Sequence, residues 1–101
     1  MAKLNYYGFI FVGDGYDDEG EIWEMDSPMF KARIAAVPTI EIGCEIARDL
    51  VSEGVQMIEL CGGFEKAGLQ KVISSINGKV PVGSVDFEEG EMVKLKDFLD
   101  R

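Results

Sequence analysis

The chain has 101 residues, 47% of them hydrophobic: enough for one modest core and too few for two domains. Nineteen Asp and Glu against ten Lys and Arg leave a net charge of −9, which repels phosphate backbones and anionic lipid, so neither nucleic acid nor a membrane is an expected partner. The absence of any histidine removes His-activated nucleophiles and every His-based metal site.

Tyr6–Val12 is a nearly continuous apolar run closed by Gly13 and Gly15, the pattern of a buried strand. Asp14 to Glu21 is the most acidic stretch and reads as a solvated loop. Ile22–Met25 then suggests a short turn of helix before Pro28. Lys31–Val37 is a second strand, whose two leading charges suggest a sheet edge. Thr39 is placed to cap a helix in which Ile42, Ile46 and Leu50 recur at helical spacing, with Gly54 closing it. Val55–Leu60 is a third strand, and Phe64–Asn77 a second helix with Leu69, Val72, Ile73 and Ile76 on one face. Val80–Val85 is a fourth strand. In the last stretch, Glu88–Arg101, Met92, Val93, Leu95 and Leu99 predict a terminal helix.

Strands alternating with helices through short turns predict one α/β domain over residues 1–101. The expected architecture is a small open, mainly parallel four-stranded sheet flanked by helices, with strand order 2-1-3-4, a truncated flavodoxin-like arrangement. Its open edges, together with apolar Trp23, Met25, Met29 and Phe30 in an otherwise polar segment, predict a homodimer or higher oligomer. Cys44 and Cys61 form no Cys-x-x-Cys, zinc or disulfide pattern, and no secretory signal is read at Met1–Asn5. A cytoplasmic setting is expected.

Ligands of open parallel sheets bind beyond the carboxyl ends of the strands. Gly13 and Asp14 follow the first strand there, Gly62, Gly63 and Phe64 the third, and Ser84 and Asp86 the fourth; these are the candidate ligand-binding positions. Bare glycine N–H groups before a helix can face an anion. A plain tight turn explains the same glycines without a ligand, and Glu65 would itself take the positive helix end. Glu59, a charge in a central strand, is a candidate acid/base, or else pairs with Arg33, Lys31 or a main-chain donor. Cys61 is a candidate nucleophile, with a small buried thiol as the plainer reading. Asp14, Glu59 and Asp86 raise a cation site, but their spacing matches no calcium loop, and no metal is assigned.

The strings Gly8–Val12, Glu53–Phe64 (with Ile58-Glu59-Leu60-Cys61-Gly62-Gly63-Phe64 as the most specific part) and Gly78–Gly83 carry a resemblance. On them the chain resembles a group of short prokaryotic proteins, domain of unknown function 6506, over about residues 5–87, the tail after Phe87 lying outside the pattern. The resemblance implies a small α/β domain, marks Glu59, Cys61, Gly62 and Gly63 as signature positions and brings no activity or cofactor. The paired Gly62-Gly63 and Gly83-Ser84 turns are also similar to the last two β-α units of phosphate-binding barrels, although a whole barrel takes about 250 residues. Three functions follow: a small-ligand domain working at the carboxyl edge, an enzyme using Glu59 with or without Cys61, or a structural or interaction module without a ligand.

Overall fold

A computed structural model describes residues 1–101. The chain runs β1 (Tyr6–Val12), β2 (Glu21–Asp26), β3 (Lys31–Val37), α1 (Ile40–Glu53), β4 (Met57–Leu60), a 3-10 turn (Gly62–Phe64), α2 (Glu65–Ser75), β5 (Val82–Ser84) and α3 (Glu89–Leu99). The sheet has five strands in the order β2-β3-β1-β4-β5, parallel except for β2, which pairs antiparallel with β3.

The four parallel strands keep the expected order, with β1 between β3 and β4. The fifth strand corrects the sequence reading. Glu21–Asp26, expected as the end of an acidic loop and a turn of helix, is an edge strand with all six residues exposed. No buried face marks it, since Ile22, Trp23 and Met25 all stay exposed; a hairpin with β3 and a buried charge hold it. Arg33, only 7% exposed, donates from Nη1 to Asp26 Oδ1 at 2.7 Å and lies 3.8 Å from Glu24 Oε2. That bond raises the Arg33 pKa above its usual value while burial pulls the other way, and Nε stays buried without a partner. Of the two charges expected to mark β3 as an edge, Arg33 binds the strand that covers that edge, and Lys31 lies over the Tyr6 ring.

Both crossovers put their helices on one face of the sheet. Thr39 caps α1 by accepting from the Ile42 N–H at 3.2 Å, and Gly54 ends it in the left-handed conformation (φ 103°). On this face Ile10, Ala35, Val37, Ile58 and Leu60 meet Ile46, Ala47 and Leu50 of α1, Val72 of α2 and Phe64 of the 3-10 turn, forming the core. Phe64 is wholly buried, its ring against Gly43, where a Cβ would lie 2.8 Å from Phe64 Cζ. Gln56 anchors the chain start, accepting from the Asn5 and Tyr6 N–H groups at 2.8 and 3.0 Å.

The likeness to a flavodoxin ends at strand order. Flavodoxin-type sheets carry helices on both faces; here α1 packs on β1 and β3, α2 on β5 and α1, and the other face is bare. α3 buries none of its residues, with Val93, Phe98 and Leu99 more than 60% exposed.

Candidate functional site

The carboxyl edge of β4 and β5 is shaped by the way each strand stops. The β4–β5 ladder ends with Val85 N–H donating to Leu60 O at 2.8 Å, and the chain then diverges at Gly62. Phe64 N–H donates to Cys61 O (3.2 Å), which starts the 3-10 turn and aims the chain into α2. Between the two departing segments lies a cleft of about 940 Å3 that takes in Gly62, Gly63, Phe64, Ser84 and Asp86, five of the seven expected ligand positions. Its remaining wall is Glu65, Lys66 and Leu69 of α2, Val85 and Phe87 of the last loop, and Met92 and Leu95 of α3. Two acids face two cations, with Lys71 the second, so the cleft is close to neutral in a chain of −9.

These positions do different work. Gly62 has open room on the cleft side, where a Cβ would make only ordinary contact with Val85 O at 3.6 Å. Gly63 is a packing glycine: a Cβ there would come within 2.9 Å of Val12 Cγ1. Phe64 belongs to the core and is wholly buried. Glu65 has φ 58° and ψ −179°, a region that side chains other than glycine's seldom occupy, so the junction into α2 is strained where it meets the cleft. Sequence reasoning placed Glu65 at the start of the helix but missed its conformation, which nothing in its neighbours signals, and it missed the α3 residues Met92 and Leu95 as part of the cleft.

Gly13 and Asp14 lie outside the cleft. Gly13 N–H extends the β1–β3 ladder to Val37 O at 3.0 Å, and the loop beyond it turns Tyr16 back over Phe11, ring centroids 5.6 Å apart and nearly perpendicular. A Cβ on Gly13 would stand 3.0 Å from the Tyr16 ring. A second, smaller hollow of about 370 Å3 opens there, on the bare face, walled by Phe11, Tyr16, Trp23, Ile34 and Ala36, with Glu21 at its rim.

Glu59 and Cys61 serve separate neighbourhoods. Glu59 sits on the bare face, in register with Phe9 and Gly83, and pairs with neither Arg33 nor Lys31; Arg33 faces the helices and is held by Asp26. Its neighbour is Tyr7: burial first, then polar contact with the Glu59 carboxylate and its charge, push the Tyr7 phenol up to about 12. Cys61 Sγ accepts the Val12 N–H at 3.4 Å and packs on the core margin. No group of three or more Asp, Glu or Cys side chains is placed to hold a metal ion, and Asp14, Glu59 and Asp86 lie in three different places. No helix is long and apolar enough to cross a membrane.

No curated protein and no solved structure matches the chain significantly. A family model described as "Family of unknown function (DUF6506)" matches residues 5–100, so the pattern includes α3 rather than stopping at Phe87. The chain belongs to that family.

Proposed function

We propose that this protein is a binding domain for a small, uncharged or weakly anionic amphipathic molecule, held in the cleft between the 3-10 turn, the end of β5 and α3. One observation carries the reading: Gly62, Ser84 and Asp86, positions picked by chemistry and topology, share one cleft whose walls are half apolar and near neutral. The strained Glu65 backbone at the same rim supports it, because such strain gathers at ligand clamps. The acidic remainder of the surface selects against polyanions. A setting in the cytoplasm accords with two cysteines that are free and half-buried.

Enzyme chemistry is the weaker reading. A Glu59–Cys61 pair would need the two side chains turned to one substrate, whereas Glu59 lies beside Tyr7 and the Cys61 sulfur accepts a backbone N–H.

Amide-resolved NMR tests the binding reading. The protein is titrated with a set of uncharged amphipathic fragments and, separately, with inorganic phosphate. Shifts at Gly62, Ser84, Asp86 and Leu95 that weaken in Gly62→Ala are expected from the fragments. Shifts with phosphate alone would replace the ligand class, and no shift in the cleft with either would overturn the proposal.

A further inference from the structure

The bare face of the sheet is formed by alternate residues of its strands: Tyr7, Phe9 and Phe11 of β1, Ile34 of β3, Met57 of β4 and Trp23 of β2. Trp23 is 71% exposed and Met25, on the same side, 61%. No helix of the chain lies over them. We infer that this face is the seat of a second copy of the chain, packed sheet against sheet as an isologous dimer.

Surface area supports a second copy. The chain exposes 6995 Å2 at a mass of 11.2 kDa. A compact monomer of that mass exposes about 5,700 Å2, so roughly 1,300 Å2 is in excess, against the ~800 Å2 per partner that a standard interface buries. α3, which buries none of its residues, and the exposed Trp23 and Met25 of the bare face both add to that surface.

Chemistry selects the partner. Aromatic and methionine side chains dominate the face, as in the cores of permanent homodimer interfaces. Its only charges are Glu21 and Glu59, with no Lys or Arg, so nothing on it would recognise a charged partner. Pairing of two β2 edges is the competing arrangement, and it would crowd the carboxylates of Glu21, Glu24 and Asp26 of both copies along one seam. Stacking of the faces avoids that contact. Because each copy carries −9, salt should tighten the dimer by screening repulsion between copies.

Trp23 is the only tryptophan and reports on the face directly. Sedimentation equilibrium on the full chain should give a dimer with a Kd of about 1 μM or tighter, within the range reached by standard interfaces. Trp23 emission should be blue-shifted and shielded from acrylamide in the dimer, and should move to the free-indole position on dilution. Trp23→Glu should weaken association at least 100-fold, while Phe98→Ser in α3 should leave it unchanged. Met25→Lys repeats the test if Trp23→Glu loses its far-ultraviolet circular dichroism. A wild-type chain that stays monomeric at concentrations well above that Kd would overturn the proposal. So would a dimer whose Trp23 remains open to quencher, or one that survives the face substitutions and is lost with Phe98→Ser.

Discussion

The Cys61 sulfur takes the place of a backbone carbonyl for Val12. In the β1–β4 ladder, Cys61 N–H donates to Ile10 O at 3.2 Å, and the next parallel bond would run from Val12 N–H to Cys61 O. That oxygen has turned to accept from Phe64 N–H, and Cys61 Sγ, 3.4 Å from Val12 N, supplies the acceptor instead. Cys61→Ser preserves an acceptor, whereas Cys61→Ala leaves the half-buried Val12 N–H unpaired. The alanine variant should lose about 1–2 kcal/mol in urea unfolding, and the serine variant clearly less. Equal losses would mean that only the volume of the sulfur matters.

Gly43 is set by the ring beneath it. Alanine would normally favour the middle of a helix by about 1 kcal/mol. Here its methyl would lie 2.8 and 2.9 Å from two carbons of a ring that is completely enclosed. Gly43→Ala should therefore destabilise the fold by about 1–3 kcal/mol, the usual cost of overpacking. Thermal unfolding reads the sign, and a rise in Tm would show that Phe64 can move aside.

Asp26 holds the most buried charge in the molecule. Arg33 keeps its guanidinium in a site where its side chain is 9% exposed, while Asp26 itself is 44% exposed. Removing Asp26 leaves the cation with the longer contact to Glu24, the Ala32 carbonyl and the Tyr6 ring beneath it. Asp26→Ala should cost about 1–3 kcal/mol, below the value for a fully buried pair because water reaches the carboxylate. Arg33→Met, which removes charge and unpaired Nε together, should cost less. Hydrogen exchange should show β2 amides opening first in Asp26→Ala.

Tyr7 makes stability fall in alkali. Its phenol is raised in the folded chain from 10.0 to about 12, so the unfolded chain gives up this proton first. Stability from Tyr7 is complete below pH 10 and is lost as pH rises toward 12. Tyr7→Phe should flatten that loss. Glu59→Gln removes the neighbouring negative charge, so the Tyr7 step in an ultraviolet titration should move to lower pH. An unmoved step would show that burial alone sets it.

β1, β3 and β4 and the first helix are written plainly in the sequence, because each buries a regular apolar pattern: Tyr6–Val12, Lys31–Val37 and Met57–Leu60 in the sheet, and α1 between Thr39 and Gly54. β2 carries no such pattern, since both of its faces are exposed; Arg33 and Asp26 position it through a contact seven residues apart that composition cannot announce. The carboxyl edge was legible where topology alone decides it, at Gly62, Gly63, Ser84 and Asp86. Gly13 and Asp14 fall outside that cleft, because Tyr16 folds back onto Phe11 and draws their loop to the bare side. For Phe64 and Gly63 a packing explanation replaces the ligand one.

The acids of β2 also limit how far the molecule can assemble. An edge strand with free backbone groups is a connector: if β2 paired with the β5 edge of the next copy, copies would add without limit. Glu21, Glu24 and Asp26 are spread along that edge within six residues, so any strand approaching it meets a row of carboxylates. Face stacking, in contrast, is used up once two copies meet. The same short strand that completes the sheet therefore steers association toward a closed pair and away from a growing fibre.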